Sequence, residues 1–128
     1  MSTASNIEQE YEVIENCAVA RFKGEATLWQ AVELVETAMA RAMTEKTRKL
    51  LVNISAITGF PSPHLADRYF IVRRWAQFAK GELVMALVIQ EHMMDPERFG
   101  IVVARNAGML AEVFHLENEA LTWLKTCA

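Results

Sequence analysis

The spacing of apolar and polar positions changes several times along the chain, and each change marks an element. Residues 11–15 mix polar and apolar side chains over a short span and read as a strand, with Asn16 as a turn residue. Residues 17–23 form a second strand closed by Gly24, and the short gap between the two predicts an antiparallel hairpin. The period then becomes helical. Leu28, Val32, Val35, Met39 and Met43 recur at spacings of three and four, with Glu33, Glu36 and Arg41 off that stripe. Thr27 and Gln30 fit a capping box at the start of this helix, which is expected to end near Lys46. Residues 49–54 return to a strand. A loop over 55–62 follows, broken by Gly59 and Pro61.

Ser62 and Pro63 have the order of a helix N-cap and first helical residue. Leu65, Tyr69, Val72, Ala76 and Ala79 make the expected buried stripe, and Gly81 stops the helix. Residues 83–89 are seven apolar residues in a row. The run is short and follows a glycine, so it reads as a strand buried on both faces, the kind found in parallel sheets. Asp95 and Pro96 repeat the cap-then-proline signal, leading to a helix with Phe99, Val102, Val103 and Ala107 inward and Gly108 as its stop. A short strand at 111–114 and a closing helix over 117–125, with Leu121 and Leu124 inward, complete the chain. The order β-β-α-β-α-β-α-β-α predicts an α/β fold: a mixed, mostly parallel five-stranded sheet with about four helices. Residues 1–10 are expected to be a polar tail and 11–128 a single domain, without repeats or linkers.

Composition narrows the class. With 128 residues, 52% hydrophobic and 23% charged, and a net charge of −3, the chain is too apolar and too weakly charged to be disordered. No apolar run reaches the roughly 18 residues of a membrane span. The polar, acidic opening is unlike a signal peptide. Cys17 and Cys127 form no CxxC and no disulfide framework, which suits a reducing, cytoplasmic compartment.

Candidate chemistry is sparse. Glu91, His92 and Asp95 lack metal-site spacing, Ser62 with His64 lacks an orienting third group, and the glycines form no phosphate-cradling loop. The expectation is therefore no catalytic residue, no metal and no cofactor. The acidic total and the lack of a basic stripe with RNP-like aromatics argue against nucleic acid. The second helix is different. Between Ser62 and Lys80 it has Arg68, Arg73, Arg74 and Lys80 against Asp67 alone, in a chain otherwise acidic. Residues 69–72 are four apolar residues in a row, more than one stripe absorbs, and Phe60, Phe70, Trp75 and Phe78 add aromatic surface. Such a helix suits a membrane surface or a partner, while its plain alternative is an ordinary packed helix with a solvated charge row. Phe60, Trp75, Met85, Met93 and Met94 can also line a pocket near the carboxyl ends of the strands, where open α/β sheets bind ligands; core filling is the plain alternative for the methionines.

The element order resembles the STAS fold, named for sulfate transporters and anti-sigma-factor antagonists, and its SpoIIAA-like relatives. The resemblance spans residues 11–125. In that family a strand ending in aspartate leads to a helix start with a phosphorylatable serine in a pattern like Asp-Ser-Ser-Gly. Residues 52–65 can be laid on that segment, which puts Ser62 at the phospho-acceptor position. Asn53 stands for the strand aspartate, and Pro61, Pro63 and His64 depart from the pattern. The C-terminal half resembles a bacterial SpoIIAA-like group of small stand-alone proteins whose helices resemble those of CRAL-TRIO lipid-binding domains. Residues 92–100, 104–106 and 120–124 bear that likeness. The resemblance implies a regulatory or ligand-binding role and no known chemistry.

Two functions follow as expectations. The first is a non-enzymatic binding module for a small apolar or lipid-like ligand, at a membrane surface on the inner face, using Phe60, Tyr69, Phe70, Arg73, Arg74, Trp75, Phe78 and Met93. The second is a protein-partner regulator of the anti-sigma-factor-antagonist type, switched at Ser62. A homodimer through the edge strand or the basic helix is compatible with either.

Overall fold

The computed structural model describes residues 6–95 and 99–127. Strand β1 (Glu8–Ile14) turns back into β2 (Cys17–Glu25) through Glu15 and Asn16, both at positive φ (50° and 70°). That pair of left-handed residues is what a two-residue hairpin turn requires if its twist is to match the strands. Because β1 starts at Glu8, paired with Lys23, part of the expected tail belongs to the sheet. Helix α1 (Leu28–Thr44) opens on the expected capping box: Thr27 Oγ1 accepts from Gln30 N–H at 3.2 Å, and Gln30 Oε1 accepts from Thr27 N–H at 2.9 Å. It buries Ala31, Val32, Val35, Ala38, Met39 and Ala42.

The remaining elements are β3 (Lys49–Thr58), α2 (Leu65–Ala79), β4 (Val84–Val88), a 3-10 turn (Glu91–Met93), α3 (Phe99–Asn106), β5 (Leu110–Phe114) and α4 (Glu117–Thr126). Strand order is β1-β2-β3-β4-β5, antiparallel only at the first pair. This is the α/β, mostly parallel five-stranded architecture predicted.

Alternation along each strand sends side chains to two separate cores. Ala18, Ala20, Phe22, Leu50, Val52, Met85 and Ala111 face α1, α2 and α3. Cys17, Val19, Leu51, Val84, Ala86 and Val88 face α4 through Ala120 and Leu124. The run at 83–89 is apolar throughout because β4 is covered on both sides.

Four local expectations need correction. β3 does not stop at Ile54: after a bulge near Arg21–Lys23, β2 continues and pairs Lys23, Gly24 and Glu25 with Ala56, Ile57 and Thr58, drawing residues 55–58 into the sheet. α2 starts at Leu65 rather than Pro63, and its N-cap is His64, whose side chain makes no capping bond. Ser62 is therefore not the cap; its hydroxyl is taken by Arg68 instead. The buried stripe of α2 is Ile71, Trp75, Ala76 and Ala79, whereas Leu65 and Tyr69 are 58% and 43% exposed. In α3 the buried residues include Ile101, Val103 and Ala104, with Val102 and Ala107 exposed; the Pro96 start signal lies outside the described residues.

α4 is pinned to the sheet by one polar knot. Arg21 on β2 donates Nε and Nη2 to both Glu117 carboxylate oxygens at 2.9–3.1 Å, and Asn53 Nδ2 donates to the same carboxylate at 2.9 Å. Glu117 sits in the first turn of α4, where a carboxylate also meets the positive end of the helix dipole. The hydrogen bonds from Arg21 hold its carboxyl below the usual carboxylate range. A depressed folded pKa contributes stability above the unfolded value, about pH 4.3, and loses it as pH falls through the folded one. The stability gap between the wild type and Glu117→Gln, read by urea denaturation, is thus expected to be open at pH 7 and to narrow below about pH 4. A gap of equal size at pH 3 would contradict this assignment.

Candidate functional site

Where three helices cover one face of the sheet, they do not close over its carboxyl end. A partly open pocket of about 150 Å³ remains there, with almost wholly apolar walls. Leu28, Ala31 and Val32 of α1, Ile71, Val72 and Trp75 of α2, and Ile101 and Ala104 of α3 form its helical side. Ile54, Met85, Leu87, Ala111 and Val113 form its sheet floor, and Phe60, Met93 and Met94 come from the two loops that leave β3 and β4.

One cation joins these loops. Arg68 lies on the same side of α2 as Val72, Trp75 and Ala79, at spacings of four, three and four. Half-buried in the pocket wall, its Nη2 donates to Ser62 Oγ at 2.8 Å and to Met93 O at 2.9 Å, and its Nε donates to Pro63 O at 3.1 Å. The loop before α2 and the turn after β4 are thereby held by one guanidinium. None of its three acceptors is charged, and among the described residues Arg68 has no carboxylate partner. A second tie lies beside it: Gln90 Nε2 donates to Ser55 O and Ile57 O, both at 3.2 Å. Trp75 is 6% exposed, and its buried indole N–H has no acceptor among the described residues.

The expected site residues divide into two sets. Phe60, Trp75 and Met93 line the pocket together with Met85 and Met94. Tyr69, Phe70, Arg73, Arg74 and Phe78 lie outside it. Phe70 meets Trp29 of α1 edge-to-face, with centroids 5.8 Å apart. Arg73 lies over the Tyr69 ring, and Nη1 donates to the Tyr69 hydroxyl at 3.2 Å. Arg74 forms a two-pronged pair with Glu36 of α1 at 2.6 and 2.7 Å, so it fastens two helices rather than presenting a free cation. Leu65, Tyr69, Phe70, Phe78 and Trp29 are exposed apolar groups of the α1–α2 surface. Ser62 is half-buried beside Arg68. Two contributors, Arg68 and Trp29, are not among the expected site residues. Arg68 was legible as a charge placed on the stripe that carries Trp75; nothing in the pattern marked Trp29 as the support for Phe70.

No group of metal-ligating side chains exists among the described residues, and no helix among them is long and apolar enough to cross a membrane.

No protein-family model and no curated protein sequence matches the chain. Solved structures do. An anti-sigma factor antagonist from Mycobacterium paratuberculosis is similar with a TM-score of 0.59 at 15% identity, over 98% of this chain and 99% of that one. SpoIIAA, an anti-sigma factor antagonist, in its unphosphorylated form gives 0.53 at 14% identity, over 94% and 100%. An uncharacterised protein from Shewanella loihica, of the DUF3478 family, gives 0.53 at 16% identity, over 92% and 93%. The chain therefore has a SpoIIAA-like fold.

The pocket's entrance loop depends on Gly59, which has φ +117° and lies so close to the β2–α1 junction that a Cβ would stand 2.5 Å from Ala26 O. Gly59→Ala is expected to destabilise the protein by on the order of 1–3 kcal/mol, from backbone strain and this clash together. Gly81→Ala, also at positive φ but with open space around it, is expected to cost about 1 kcal/mol. Urea midpoints of the two variants check the order; equal midpoints would remove the contact's role.

Proposed function

We propose that the protein is a non-enzymatic regulator that acts by binding a protein partner, in the manner of the anti-sigma factor antagonists whose fold it shares. The observation that carries the reading is the pairing of Ser62 with Arg68 at the start of α2, next to an exposed aromatic surface. The serine hydroxyl is 2.8 Å from a guanidinium that has no carboxylate partner among the described residues. A phosphate placed there would add about −1.5 to −2 charges beside that cation and would form charge-assisted hydrogen bonds to it. Arg68 also holds Met93 O, so a change at Ser62 is felt across both loops. Leu65, Tyr69 and Phe70, on the helix that follows, offer apolar area of the kind that partner interfaces bury. Phosphate at Ser62 then alters partner binding by changing charge and loop position together.

The test uses protein purified from its own host. Mass spectrometry is expected to find a phosphate-sized increment that maps to Ser62 in part of the population. Crosslinked partners are expected on wild type and Ser62→Ala, and to fall about tenfold on Ser62→Asp and Phe70→Glu. Partners retained equally by all four forms would overturn the proposal.

A further inference from the structure

We propose that the pocket behind Arg68 is a binding site for a small organic carboxylate, its apolar body against the sheet and its carboxylate on the guanidinium. This stands apart from partner binding and needs no phosphate.

The size sets the ligand's body. A comparably sized apolar cavity accepts benzene, so about 150 Å³ holds an apolar group on the order of six to eight carbons. A long acyl chain exceeds it. The walls supply what such a group needs: Met85, Met93 and Met109 are flexible, polarisable thioethers that adapt to either a ring or a short chain.

The polar inventory sets the ligand's head. Among the described residues, two donor groups in the wall have unused hydrogen-bonding capacity. Arg68 Nη1 makes no hydrogen bond among the described residues, while Nε and Nη2 make three. Trp75 Nε1–H is buried and has no acceptor among those residues. The lining acids Asp95 and Glu112 have interactions of their own. A ligand end that matches unused donors must be an acceptor, and one that matches an unpaired guanidinium must be an anion. A carboxylate is both, and its oxygens can accept from the N–H groups of Nη1 while Nε and Nη2 keep their own acceptors.

The source of the carboxylate, aromatic or aliphatic, is separated by the probes. Full-length protein labelled with ¹³C at methionine methyls is titrated with phenylacetate, octanoate and 1-octanol. The Met85, Met93 and Met109 methyls are expected to shift saturably with at least one of the two acids, while Met43, which is not in the wall, stays in place. Phenylacetate alone shifting them assigns an aromatic acid, octanoate alone an aliphatic one, and both a shared site. Arg68→Gln is expected to weaken the acid about tenfold and to leave octanol within about twofold. Since Arg68 also ties two loops, Arg68→Lys is measured beside it: the lysine keeps the charge and is expected to recover most of the preference for acid over alcohol. No methyl shift with either acid at millimolar concentration overturns the site. Equal loss of acid and alcohol in Arg68→Gln, with no recovery in Arg68→Lys, overturns the role of Arg68.

Discussion

A parallel sheet has to be covered on both faces, because its crossover helices and its continuous apolar strands leave neither face able to meet water. The rest of this molecule follows from how unequally that is done. One helix, α4, seals one face through Ala120 and Leu124. Three helices share the other, and they must fit around one another as well as the sheet. α1 lies along β2 and β3, α3 lies along β5, and α2 packs on both neighbours. Three cylinders on a twisted surface leave a gap where they diverge, and here the gap falls at the carboxyl ends of β3 and β4. The loops leaving those strands become its remaining walls.

Closing such a gap with apolar side chains alone would make a core. A cation on the buried side of α2 prevents that. Arg68 carries desolvation on three neutral oxygens, which satisfy part of its donor set but not its charge. Arg74, six residues on, shows the contrast: it has a carboxylate from Glu36 and acts as a helix-to-helix clasp. Among the described residues, the same helix thus has Arg74 matched by a carboxylate and the half-buried Arg68 not matched by one, while the exposed Arg73 lies over the Tyr69 ring. The structural role of Arg68, joining two loops, is compatible with an external anion because its Nη1 remains outside that task.

Much of this was readable from residue order. The element sequence, the hairpin at Asn16, the capping box at Thr27 and the doubly buried β4 all rest on local signals that the fold does not oppose. Phe60, Trp75, Met85, Met93 and Met94 were placed together from the rule that ligands gather at strand carboxyl ends, and they do share one wall. The failures have a common cause. Ser62-Pro63 has a cap's local chemistry, but Arg68, six residues away, claims the hydroxyl, and the helix starts two residues later. Residues 55–58 contain loop-forming side chains, but an extended β2 gives them a ladder to join. The apolar stripe of α2 was misjudged by about a quarter turn because Tyr69 and Leu65 are apolar, and their exposure depends on where α1 and α3 stand. In each case a contact distant in sequence outweighed a local preference.

Arg68 also links the two proposed activities through a single shared resource. A phosphate on Ser62 and a carboxylate in the pocket both draw on the same guanidinium, the first beside Nη2 and the second on Nη1. Any free energy that a phosphate gains there lowers what remains for a ligand, and reciprocity requires the ligand to weaken the phosphate's hold by the same factor. A neutral occupant of the pocket would fill the apolar volume without that competition. The sign of the coupling is therefore set by the charge of the ligand rather than by its shape, and the hydrogen bond from Arg68 to Met93 O is the physical element through which either event reaches the second loop.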